Sequence, residues 1–386
     1  MAGRPDPARV AAVDEDRFEM RPIAPRLSRL KTRLQRLLAP AATALLGAAA
    51  LALPAAADAQ PLQLRIVGGL ASLNQYRLHE EPFWSHRLST LTQGRIQAEI
   101  VPFDRAGIRG QDMLRLLQLG VVPFGTALLS LAATEDPLVN MADLPGANPD
   151  IDTLRRAVAA FRPVLDQHLR QALGVELLAV YAYPAQVLFC RQAFGTLADL
   201  AKRRVRVVSA PQADFIEAIG AQAVLAPFAE VLPKLRSGQL DCAITGTMSG
   251  NTVGLHEVTT HLHTMPITWG LSVFAANKAA WTTLPADTRT LLQRELKTLE
   301  QAIWTDAERE TGDGIACNTG SDTCRQGRRG SMVAVRPGEP DLARLRTLLA
   351  QTVLPRWAER CGPRCVDAWD SALAPVVGVR LRPVRQ

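Results

Sequence analysis

Two arginines at alternate positions of a short β-branched run, Arg204-Val205-Arg206-Val207, place two guanidinium groups on one face of a strand. A planar guanidinium presents two parallel donors to a carboxylate, and the bond is several times stronger when the pair is desolvated than when it is exposed. Alternation alone leaves open which of the two enters a cleft, and a solvated charge at a strand edge is the plain alternative. His256, His261 and His263 form the one histidine cluster. In a strand the last two would face the same way, as metal ligands do, although boundary histidines without a metal are commoner. Nucleophilic chemistry has no signature: there is no G-x-S-x-G elbow, no P-loop, and no G-x-G-x-x-G after a strand. The chain is therefore read as a binding protein and not an enzyme, with no metal and no cofactor.

Six cysteines, Cys190, Cys242, Cys317, Cys324, Cys361 and Cys365, supply the remaining reactive groups. An even count in an exported chain favours disulfides. Pairing within CNTGSDTC and within CGPRC is the simplest choice, and crossed pairing between the two loops stays open. Cys190 and Cys242 are either a third pair or small buried apolar residues. A zinc site from the four tail cysteines is disfavoured, because neither motif has C-x2-C spacing.

These groups are carried by alternating strands and helices. Strand-like runs occur at Leu64–Val67, Ile96–Val101, Phe124–Leu129, Glu176–Tyr183, Ala185–Cys190, Val205–Val208, Cys242–Thr245 and Ser272–Ala276. Helical spacing occupies Tyr76–Thr92, Gly110–Leu119, Ile151–Leu173, Ala213–Ile219, Phe228–Ser237 and Leu284–Arg309. Repeated β-α-β units imply mainly parallel sheets covered by helices, an α/β fold.

The 386 residues carry 44 Lys/Arg against 37 Asp/Glu, a formal charge of +7. Nine of those Lys/Arg and six of the Asp/Glu lie in residues 1–59, which leaves 35 − 31 = +4 for the rest. With no long basic run, nucleic acid is not an expected partner. The first segment reads as an export signal: a basic stretch over Arg26–Arg36, an uncharged small-apolar stretch over Leu38–Ala57, and Ala57-Asp58-Ala59 before a cleavage point at Gln60. A retained membrane helix is the alternative, and translation from Met20 would give the signal its usual length. The mature protein is expected in the periplasm.

Three stretches, taken in order, resemble the solute-binding subunits of tripartite ATP-independent periplasmic (TRAP) transporters, the DctP-type receptors. They are FDRAGIRGQDMLRLLQLGVVPFG (Phe103–Gly125), VLFCRQAFGTLADLAKRRVRVVSAP (Val187–Pro211) and APFAEVLPKLRSGQLDCAIT (Ala226–Thr245), and with the flanking segments the likeness covers about residues 62–310. The resemblance implies a two-lobed periplasmic binding protein fold with crossing strands at a hinge and a long C-terminal helix. It implies a first lobe of residues 60–187 plus about 271–310, and a second of 188–270 plus about 311–386 with a disulfide-stapled extension. It also implies a monomeric receptor that closes on a small organic-acid ligand and hands it to membrane permease subunits.

By the same resemblance Arg206 takes the anchor position for a ligand carboxylate and Arg191 a second cationic position. Phe228 falls where an apolar residue packs on the ligand, and Trp269 where a ring stacks on it or plugs the hinge. Asn74 and Gln75 fall on the first lobe's opening loop. The sequence departs from the family pattern at Pro123, at Leu240-Asp241-Cys242, and at Thr245, which stands where an Asn amide is usual and keeps one hydroxyl in its place. Two other readings remain: an exported α/β enzyme acting on a small acid, and a receptor that feeds a sensor kinase.

Overall fold

The computed structural model describes residues 60–381, so the expected export signal and the last five residues lie outside it. Two sheets organise the described chain. The first has the order β2-β1-β3-β10-β4, built from β1 (Leu62–Gly68), β2 (Ile96–Pro102), β3 (Phe124–Leu128), β4 (Val175–Ala182) and β10 (Leu271–Asn277). β1 runs parallel to β2 and β3, while β10 is antiparallel to β3 and β4. The second sheet has the order β11-β9-β5-β8-β6-β7. It contains β5 (Gln186–Cys190), β6 (Arg204–Val207), β7 (Gln222–Leu225), β8 (Cys242–Gly246), β9 (His261–His263) and β11 (Val333–Val335).

The chain passes between the sheets three times, at β4 to β5, at β9 to β10 and, through the long helix Ala286–Asn318, from β10 to β11. The first two crossings lie side by side: Tyr183 N donates to Gly270 O at 3.0 Å, and Gln186 N to Thr268 O at 2.8 Å. Gly270 takes φ +78°, a left-handed conformation that glycine adopts without strain. Asp143 braces this point from below, accepting from Trp269 N at 2.9 Å and Gly270 N at 2.7 Å.

The helix Ala286–Asn318 runs nine residues past the expected end at Arg309. Gly312 and Gly314 lie within it, and Gly314 serves a close contact: a Cβ there would lie 2.3 Å from Met248 N and 2.5 Å from Thr247 C. Only a bare Cα lets this helix cross the short helix Thr247–Thr252 at that distance. Other short elements, β7, β9 and β11, carry too few residues to show a period in sequence.

Three disulfides join Cys190 to Cys242, Cys317 to Cys324, and Cys361 to Cys365. The first staples neighbouring strands of the second sheet, where the two residues pair directly. The helix Leu354–Cys361 joins the turn Pro137–Asp143 to the helix Ala210–Ala218 that follows β6: Trp357 Nε1 donates to Pro137 O at 2.8 Å, and Arg356 and Arg360 pair with Asp214 at 3.3 and 2.5 Å. Among the described residues no helix is long and apolar enough to cross a membrane.

Candidate functional site

β6 resolves the ambiguity of its two arginines. Val205 and Val207 enter the core fully buried, which sends Arg204 and Arg206 to the other face. Arg204 is half exposed and already matched, with Nε and Nη2 bonded to the two carboxylate oxygens of Asp241 at 2.9 and 2.7 Å. Arg206 is 3% exposed and has no acidic partner among the described residues. Its Nε donates to Ala226 O and its Nη1 to Ile244 O, both at 2.9 Å. Two carbonyl dipoles do not neutralise a buried cation, and desolvation lowers the guanidinium to about 10, so the group still carries its charge at neutral pH. A buried cation without a counter-ion is costly to a fold, and such groups cluster at functional sites.

Two more of the expected residues lie on elements adjoining Arg206. Arg206 pairs in register with Ala243 of β8, so Thr245, two residues on, shares its face and is 2% exposed. Phe228 opens the turn Phe228–Glu230 two residues after Ala226, the acceptor of Arg206, and is half-buried there.

Arg191 stands apart from this group. It follows Cys190 at the Cys190–Cys242 end of the sheet, with its backbone N bonded to Asp241 O and its guanidinium beside Gly238. Trp269 is 3% exposed and its indole N–H is held by Asn148 O at 3.0 Å, so it fills the hinge. The histidines are not assembled: His263 is fully buried and stacks on Phe194, while His256 sits beside Asn251 on another element.

Asn74 and Gln75 lead to a second polar group that the sequence did not flag. Asn74 Nδ2 donates to Glu310 Oε1 at 2.7 Å, and Gln75 Nε2 donates to Glu80 Oε1 at 2.6 Å. Glu80 is fully buried. Its helical spacing with Tyr76, Phe83 and Trp84, all on the buried side, was the available signal.

Burial pushes both the Asp143 and Glu310 carboxyls up to about 7. Each then holds its proton more tightly folded than unfolded, so the stability it contributes is full below its unfolded value near 4 and is lost as pH rises toward about 7. The melting temperature of ligand-free protein should carry a declining component across that window. Glu310→Gln should flatten the profile between about 4.5 and 7, as read by calorimetry over a pH series. An unchanged slope would exclude Glu310 as a source.

The model of the bacterial extracellular solute-binding protein family 7 (DctP) matches residues 71–315. The outer membrane transporter protein TsaT of Comamonas testosteroni is 25% identical over 250 residues, 63% of this chain and 72% of that protein. A solute-binding protein of Roseobacter denitrificans is 28% identical over 192 residues, 48% of this chain and 57% of that protein. Among solved structures, the Bordetella pertussis extracytoplasmic solute receptor DctP7, which binds pyroglutamic acid, superposes with a TM-score of 0.70 at 20% identity, covering 80% of this chain and 99% of that one. A TRAP periplasmic solute-binding protein of Desulfovibrio salexigens with bound orotic acid gives 0.71 at 17% identity, covering 81% and 99%.

Proposed function

Because this chain belongs to family 7 of the bacterial extracellular solute-binding proteins, we propose that it is a receptor of the TRAP type that captures a small organic carboxylate through Arg206. The observation that carries the proposal is the buried guanidinium itself, which lacks an acidic partner among the described residues while its neighbour Arg204 has one. A ligand carboxylate would supply the missing charge and two acceptors in the plane of the fork. Thr245 would add a hydroxyl and Phe228 an apolar wall. Similar folds whose structures hold pyroglutamic acid, orotic acid or succinate fit a carboxylate class.

The mechanism requires no bond chemistry. Ligand held by Arg206 in the second lobe and by groups of the first favours the closed arrangement, and the membrane permease subunits receive that form. Arg191, which follows Cys190 and lies beside Gly238, is not used in this reading.

A thermal-shift screen of the mature protein against carboxylic acids, neutral sugars and amines tests the proposal. A saturating carboxylate at 100 times its dissociation constant should stabilise the fold by about 2.7 kcal/mol. Stabilisation by neutral sugars alone would exclude the carboxylate class.

A further inference from the structure

Two buried carboxylates, Glu80 and Glu310, lie near Tyr183 at the crossing from β4 to β5. Glu80 accepts from Gly69 N at 2.8 Å, Gln75 Nε2 at 2.6 Å and Thr126 Oγ1 at 3.0 Å. Glu310, 5% exposed, accepts from Asn74 Nδ2 at 2.7 Å. All of these donors are neutral, and neither carboxylate has an ion pair among the described residues. The cations at hand, His79 and Arg309, are both taken by Asp306, at 2.7 and 2.8 Å. A desolvated carboxylate without a counter-charge is costly, so the region is short of positive charge.

Gln75 and Tyr183 add unmatched oxygens to that shortage. A Cβ on Gly69 would lie 3.1 Å from Glu80 Oε1, 3.4 Å from the Tyr183 hydroxyl and 3.6 Å from Gln75 Nε2, so three polar heads converge on one bare Cα. A carboxylate only accepts, so the Gln75 nitrogen faces Glu80 and the amide oxygen is left over. That oxygen is buried without a partner among the described residues, on a residue 6% exposed. The Tyr183 hydroxyl, on a residue 5% exposed, lies beside Ser272 and Gln75 without a hydrogen bond of ordinary geometry.

Gln75 and Tyr183 line one small cavity with Asn74, Ser249, Asp306 and Glu310, and it has room for about one water-sized group. Its size and its donors select the occupant. A water would bond to Gln75 and Tyr183 but bring no charge to Glu310. Mg²⁺ retains several waters and Ca²⁺ gathers about six to eight oxygens, more than so small a space admits. Zinc and its neighbours favour imidazole and thiolate, and the one imidazole on the lining, His79, is committed to Asp306. An amide oxygen, a phenol oxygen and a carboxylate around space for a single small sphere suit a hard cation of one charge.

We propose that the cavity bounded by Gln75, Tyr183 and Glu310 binds one monovalent metal cation, Na⁺ or K⁺. The ion would join three separate parts of the chain: the segment after β1 through Gln75, the crossing through Tyr183, and the long helix Ala286–Asn318 through Glu310. This site and the carboxylate reading of Arg206 stand independently, and the failure of one leaves the other untouched.

The test is thermal melting of the mature protein at pH 8, above the value of about 7 to which burial pushes Glu310. NaCl or KCl is varied against choline chloride at constant ionic strength. The melting temperature should climb by several degrees between about 1 and 100 mM Na⁺ or K⁺, and the two salts show which ion fits. Choline, too large for the cavity, should give no rise. Glu310→Gln keeps the shape but removes the charge, and should abolish the rise. Tyr183→Phe leaves Glu310 in place, and should raise the concentration needed by about tenfold. A flat melting temperature in both salts, an equal rise in choline, or a rise that survives unchanged in either variant would overturn the inference.

Discussion

Replacing Arg206 by alanine is expected to weaken binding of a carboxylate ligand by two to three orders of magnitude. The structure buries the guanidinium to 3% exposure and gives it only the carbonyls of Ala226 and Ile244. Truncating one member of a buried charge pair costs about 2–5 kcal/mol or more, because the surviving charge remains desolvated and unpaired. Arg206→Lys keeps the charge but loses the fork, and should lose about tenfold. Titration of both variants with whichever carboxylate the screen identifies, beginning with pyroglutamate, orotate and succinate, reads the difference. Wild-type affinity in Arg206→Ala would remove the anchor. The same change at Arg204 gives a contrast, since that residue is matched by Asp241 in the ligand-free fold. Arg204→Ala should leave affinity within a few-fold.

The second large effect concerns the Cys190–Cys242 disulfide, which closes a separation of 52 residues. In the chain-entropy model a loop of that size restricts the unfolded chain by about 4 kcal/mol, against about 2 kcal/mol for the short Cys361–Cys365 loop. The double replacement Cys190→Ala/Cys242→Ala should therefore lower the denaturant midpoint clearly more than Cys361→Ala/Cys365→Ala. Both cysteines are fully buried between β5 and β8, so two sulfurs' worth of packing is lost as well. Equal midpoints for the two variants would show that loop length does not govern these staples.

How much of this was legible beforehand differs by residue. The alternation of Arg204-Val205-Arg206-Val207 places both arginines on one face, and a strand pattern cannot separate them. The separation comes from Asp241, 37 residues on, which the fold brings under Arg204 and not under Arg206. The α/β class was readable because each long element keeps its period, as Ile151–Ala172 does with Leu154, Val158, Phe161 and Leu165 buried.

The polar group at Gly69 was not readable as a group. Glu80 has core spacing, yet its burial depends on donors from Gly69, Gln75 and Thr126, and Thr126 arrives from a different strand. Gly314 was no more informative as a letter. A glycine that permits two helices to touch has the same letter as one that ends a helix, and only the partner's position tells them apart.

The C-terminal helix Leu354–Cys361 grips Pro137 with one side chain and Asp214 with two others, and so fastens the rim of one sheet's layer to the helix that follows β6 in the other. A fastening of this kind acts as the short arm of a lever. Relative movement of the two regions is restrained most beside that clasp. A pair of spectroscopic labels would report filling and emptying best on the flank remote from Trp357, and least when set beside it.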